Sequence, residues 1–197
     1  MVEPNIFQRE AAERLKSALS TDEVIVSWQA FAGEGRRIYQ PIVDIAVGPY
    51  ATGNVQYLHE YDVMARNHQQ LIDRWVTEFL SNWQEVIGNY YWALPPRTPG
   101  RYMDFIGQGS NRNARCFIAV EIENETSRKH LMGSIINAGA LGRIGILVTW
   151  QDKVLRAAIR MREYFDYLRS AGKRTFNMSN VIIVTNEQLA NSLGMQL

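Results

Sequence analysis

Two uninterrupted apolar runs, separated by one helix-length segment, constrain this chain most. Ile144-Gly145-Ile146-Leu147-Val148-Thr149-Trp150 and Val181-Ile182-Ile183-Val184-Thr185 lack a polar alternation, so each reads as a strand buried on both faces. Residues 152–170 between them carry Val154, Ala158, Phe165 and Leu168 on one side of a helix, with Arg156 and Arg160 projecting elsewhere. A third apolar run, Cys116-Phe117-Ile118-Ala119-Val120, comes before them. It is followed by Thr126 or Ser127 as the cap of a short helix containing Leu131, Ile135 and Ala138, which ends at Gly142. This strand–helix–strand–helix–strand succession predicts an α/β layer with some parallel pairing.

The first half of the chain adds to that layer. Residues 5–19 read as an amphipathic helix capped by Asn5, with Ile6, Ala11, Leu15 and Leu19 near helical spacing. Val24 to Phe31 is rich in β-formers and stops at Gly33-Glu34-Gly35; a second strand runs from Ile38 to Val47 and stops at Gly48-Pro49. Residues 58–87 read as helical, with Leu71, Trp75, Phe79 and Trp83 spaced by fours. Asn89 to Gly100, holding Pro95, Pro96 and Pro99, breaks the pattern. Arg101 to Gly107 and Ala114 to Glu123 then suggest a hairpin around a Gly/Ser/Asn loop. The hairpin brings an antiparallel portion, so the fold class is α/β with a mixed central sheet flanked by helices.

At 197 residues, with 46% hydrophobic and 21% charged side chains, the chain reads as one domain with a sizeable core. The single cysteine, Cys116, excludes an internal disulfide and a multi-cysteine zinc cluster, and it reads as inert core. His59, His68 and His130 allow only a sparse histidine site. No apolar run reaches the roughly 20 residues of a membrane span, and the acidic, polar start is unlike a secretory signal. A cytoplasmic protein is expected. The net charge of +1 conceals an asymmetry: residues 1–100 hold 8 Lys/Arg against 12 Asp/Glu, whereas residues 126–197 hold 10 against 4. The cations between Arg128 and Arg174 suit an anionic partner such as nucleic acid, or a solvated helix face.

Several carboxylates sit where apolar residues are expected. Glu121 and Glu123 continue the Cys116–Val120 strand and, by alternation, share one face about 6–7 Å apart. Asp44 interrupts Pro41-Ile42-Val43-Asp44-Ile45-Ala46-Val47, and Asp104 interrupts Tyr102-Met103-Asp104-Phe105-Ile106. An unpaired buried carboxylate costs several kcal/mol, by about the scale of an unmatched ion, so each needs a cation, a proton or water. Arg36 or Arg37 could pair with Asp44, and Arg112 or Arg115 with Asp104; Glu123 and Glu125 could reach solvent at the strand end. An oxygen-only set of this kind also suits Mg²⁺.

The helix–strand–strand–strand–helix–strand order, with an acid in the second strand and a pair of the acid-x-Lys type in the third, where Glu123 departs from the Lys, resembles the PD-(D/E)xK nuclease superfamily of restriction endonucleases and Holliday-junction resolvases. The resemblance covers residues 5–50 and 101–185 of a single 1–197 domain, with residues 51–100 as a helical insertion. It implies a restriction endonuclease-like core and a Mg²⁺- or Mn²⁺-dependent endonuclease that hydrolyses phosphodiester bonds in DNA. Glu121 takes the place of the third-strand acid, and Asp44 or Asp104 that of the second-strand Asp; these are the implied metal ligands. Glu123 stands at the position of the family's Lys, so Lys129 in the next helix is the candidate to return a cation to the site, and Glu123 itself would ligate or position the nucleophile. Glu10 or Glu13 could match the acid often found in the first helix. The alternative is a catalytically inactive nuclease-like domain that binds DNA or a protein partner, a second copy of the chain included.

The remaining signals are weaker. Trp75, Trp83, Tyr90, Tyr91 and Trp92 could stack bases or meet a second subunit but suit packing on the domain better, with Tyr90-Tyr91-Trp92 the part best placed to face a partner. Gly139-Ala140-Leu141-Gly142-Arg143-Ile144-Gly145 follows a helix and precedes a strand, the reverse of a dinucleotide fingerprint, and no serine or cysteine nucleophile motif is present.

Overall fold

The computed structural model describes residues 3–30, 41–52, 55–88, 111–173 and 177–196. Their elements run α1 (Pro4–Ala18), β1 (Val24–Gln29), β2 (Ile42–Val47), α2 (Leu58–Asn67), α3 (Gln69–Ile87), β3 (Cys116–Glu123), α4 (Arg128–Leu141), β4 (Gly142–Thr149), α5 (Asp152–Ser170), β5 (Val181–Thr185) and α6 (Asn186–Ser192). The strands form one mixed sheet in chain order, β1-β2-β3-β4-β5. β1, β2 and β3 pair antiparallel, whereas β3, β4 and β5 pair parallel.

The two apolar runs become β4 and β5, as their composition requires. Every residue of β4 is buried, as are four of the five in β5. Gly145 in β4 is needed for a close approach: a Cβ there would stand 2.8 Å from the carbonyl carbon of Ala138 in α4. At the end of α4, Asn111 and Asn180 donate from their Nδ2 atoms to the carbonyl oxygens of Gly139 and Gly142, satisfying acceptors that the helix leaves open.

Several expectations need correction. Pro4 opens α1 behind Glu3 as N-cap, displacing Asn5 from that role; a proline at the first helical position loses no needed N–H. The 58–87 segment is two helices, broken at His68, where φ is −113° and ψ is 23°. β3 has β2 and β4 as its sheet neighbours. Its expected hairpin partner, residues 101–107, lies outside the described residues, as do residues 38–40, Arg36, Arg37, Asp104, Arg174 and the Tyr90-Tyr91-Trp92 cluster. Trp75 and Trp83 are core, and the Trp75 indole N–H donates to Ser192 Oγ at 2.7 Å. α6 is an addition that the sequence reading omitted; Thr185 and Gln188 form its reciprocal capping box.

Two cations in the basic half of the chain are structural. Arg143, 4% exposed, donates from Nε and Nη2 to Asp62 Oδ1 at 3.1 and 2.7 Å. Arg162, fully buried in α5, forms an ion pair with Asp166 one turn on.

Candidate carboxylate site at the parting of two strands

β2 and β3 pair through Ile45↔Val120, Ala46↔Ala119 and Val47↔Ile118. One step further along that register, Asp44 stands opposite Glu121, the position in an antiparallel pair where side chains meet on one face. The ladder ends there. The N–H of Ile122 is taken by the Asp44 carboxylate, Oδ2 accepting at 2.7 Å, and the Asp44 carbonyl accepts from Gln8 Nε2 at 2.7 Å.

The other side of β2 is interrupted at the same level. β1 pairs through Val26↔Ile45 and Trp28↔Val43, so Ser27 lies across from Asp44. Ser27 has φ of 53°, in the left-handed region that side-chain-bearing residues rarely adopt. Asp44 therefore sits where regular pairing stops on both flanks, a local irregularity of the kind that gathers at functional sites.

The two glutamates of β3 differ sharply. Glu123 is 8% exposed, but its oxygens are occupied: Oε1 accepts from the N–H groups of Asn124 and Glu125 at 3.0 and 2.9 Å, and Oε2 from Ser134 Oγ at 3.2 Å. It holds the turn that leads into α4. Glu121 is equally buried, yet its Oε1 has no hydrogen-bond partner among the described residues. Burial pushes its carboxyl up to about 9, Asp44 and Glu123 add to that by repulsion, and a hydrogen bond from Asn137 on α4 opposes it. Burial also raises Asp44, against the Ile122 hydrogen bond, with Glu123 raising it further.

The structure thus brings Asp44, Glu121 and Glu123 together. Lys129 is exposed on the first turn of α4. Glu13 is exposed and bonded to Lys16 at 2.7 Å; the polar residue of α1 that reaches the acids is Gln8, unlike the expected Glu10 or Glu13. Gln8, Ser134 and Asn137 were missed in the sequence. The signal for Gln8 was its place on the otherwise apolar face Phe7, Ala11, Ala12 and Leu15.

Among the described residues, no three His, Cys, Asp or Glu side chains are gathered to hold a metal. A Mg²⁺ or Mn²⁺ ion that keeps most of its waters needs only one or two carboxylates. The facing pair Asp44 and Glu121, with one oxygen unsatisfied, fits that requirement.

A cavity of about 460 Å³ opens beside Asn137, with Pro41, Arg115 and Leu141 in its wall. Cys116 is fully buried, and burial pushes its thiol up, which leaves it a core residue. No helix among the described residues is long and apolar enough to cross a membrane. Comparison of the chain with protein-family models, with curated proteins and with solved structures finds no match.

Proposed function

We propose that this chain is a metal-dependent nuclease that hydrolyses phosphodiester bonds in DNA, built on a restriction endonuclease-like core with Asp44 and Glu121 as the ligands for Mg²⁺ or Mn²⁺. The observation that carries the reading is the Glu121 carboxyl: buried, facing a second acid, and short of a partner at Oε1. Such a group costs stability unless a cation or proton balances it. The element order supports the same reading once α2 and α3, which stand between β2 and β3, are set aside as an insertion: α1, β1, β2, β3, α4 and β4 then run helix, three antiparallel strands, helix and parallel strand, with Asp44 on the second strand and Glu121 on the third.

A bound cation supplies Lewis-acid stabilisation of charge on the scissile phosphate and lowers the pKa of water. The residues of the chain do the rest. Ile122 N–H and Gln8 fix the Asp44 side chain and backbone, and Asn137 steadies Glu121. Glu123 braces the turn into α4 from the position where the family carries Lys. Hydrolysis adds water across a P–O bond, hydroxyl to phosphorus and proton to the leaving sugar oxygen.

A second reading has its own support. Glu123, engaged by Asn124, Glu125 and Ser134, occupies the third-strand position at which the family carries a cation. A catalytically inactive domain that binds DNA or a protein partner is consistent with that. Incubating the purified protein with supercoiled plasmid separates the two. Nicking or linearisation with Mg²⁺ or Mn²⁺, abolished by EDTA, is the expected result; intact plasmid under both metals, in protein that still shifts DNA on a gel, favours the inactive domain.

A further inference from the structure

β3 and β4 run parallel, so α4 and α5 both begin at the same end of the sheet, the end at which Glu123 closes β3. Between the starts of these helices lies a groove of about 770 Å³. Its wall begins at Thr126, three residues after Glu123, and it carries Arg128 from α4 and Lys153, Arg156 and Arg160 from α5. The three α5 cations recur at i, i+3 and i+7 and form one stripe, about 10 Å long at 1.5 Å per residue.

The cations are not equally available. Arg156 is engaged by Asp152 and Glu85, each at 2.8 Å. Glu125, between β3 and α4, contacts His130 Nδ1 at 3.2 Å. Arg128, Lys153 and Arg160 are exposed and have no acidic partner among the described residues. The groove is otherwise apolar, with Met132 and Met161 in its lining and the half-exposed ring of Tyr164 at its side.

We infer that this groove is a track for a nucleic-acid strand, with Arg128, Lys153 and Arg160 on phosphates and Tyr164 and the apolar lining against bases. A row of cations over an apolar, aromatic surface is the pattern by which single strands are held without regard to sequence. An acidic peptide would match the charge, but the helices that form the groove start at the end of the sheet at which β3 carries Glu121 and Glu123, the end at which a phosphodiester must arrive. The inference rests on the nuclease reading for its choice of polyanion and extends it by naming the residues that hold the strand.

The test is fluorescence anisotropy with a labelled single-stranded oligonucleotide in EDTA, across a series of salt concentrations. Each phosphate contact on a single strand contributes about 0.7 to the slope of log K against log salt. The combined variant Arg128→Gln, Lys153→Gln, Arg160→Gln should therefore lower the slope by about 2 and weaken binding about 100-fold at 0.1 M salt. A variant of equal charge loss elsewhere, Arg14→Gln, Arg66→Gln, Arg74→Gln, should stay within about threefold of the wild type. Equal loss in the two variants, no loss in the groove variant, or a wild type that binds acidic peptide or anionic vesicles but no oligonucleotide overturns the inference. Its failure is distinct from that of the nuclease reading. A groove variant that binds normally beside a wild type that cleaves DNA sinks only the groove, whereas a groove variant that loses binding beside a wild type inert with both metals sinks only the nuclease.

Discussion

Glu121→Gln is expected to abolish metal-dependent DNA cleavage, by at least about 100-fold on the scale of losing one charge-stabilising group, while making the metal-free protein more stable above neutral pH. The amide keeps the volume of the side chain and cannot ionise. Its N–H₂ can donate to the Asp44 carboxylate without the proton that the native carboxyl must take up on folding above its ordinary value.

The pH dependence follows from the raised Glu121 carboxyl. Between its ordinary value of 4.5 and about 9, the folded chain holds a proton that the unfolded chain has released. The native state then binds more protons than the unfolded state, so stability falls as pH rises through that window, by up to about 1.4 kcal/mol per pH unit. Asp44, raised in the same direction, adds to the fall at the acidic side. Thermal melts of wild type and Glu121→Gln in EDTA from pH 5 to pH 9 check this. The wild type should lose stability progressively and the variant should lose much less; parallel curves would show that Glu121 is not the titrating group.

Asp166→Ala should destabilise the protein by about 3–5 kcal/mol, because it strands a buried charge. Arg162 is fully buried, and among the described residues its guanidinium has no partner beyond its contact with Asp166. The variant leaves that cation buried and unpaired, at a cost that is a large part of the total stability of a domain this size. Two controls locate the effect. Asp152→Ala removes an acid of Arg156 from an exposed, solvent-screened pair and should leave the urea midpoint nearly unchanged. Replacing both members, Arg162→Met with Asp166→Leu, should recover most of the loss. Urea denaturation reads all three; a small effect for Asp166→Ala would mean that the pair is not closed to water.

The parts of this molecule legible from sequence are those whose signal is local. β4, α5 and β5 follow from apolar continuity and helical spacing, and their boundaries agree with the expected ones within two residues. Alternation alone places Glu121 and Glu123 on one face of β3. The meeting of Asp44 with Glu121 is different: it depends on a register between residues 45 and 120, set by tertiary pairing that no local pattern encodes. The division of labour between the two glutamates was equally hidden, since it turns on which of them the turn at Asn124 and Glu125 engages.

The charge pattern misled in one respect. Arg143 and Arg162 count toward the basic half of the chain, yet Asp62 and Asp166 hold them in the interior. The cations of the groove are the smaller set left over. The break at His68 carries no Pro or Gly to announce it, whereas Thr185 and Gln188, spaced as a capping box, mark the start of the 7-residue α6.

Titrating Mn²⁺ into metal-free protein at pH 8, with the free ion followed by electron paramagnetic resonance, tests the pairing of Asp44 and Glu121 as a cation site most directly. The wild type should remove Mn²⁺ from solution at a saturable site, and Asp44→Asn and Glu121→Gln should each abolish that binding while remaining folded. Wild type that binds no Mn²⁺, or variants that bind it as the wild type does, would contradict the assignment of these two carboxylates as the metal ligands.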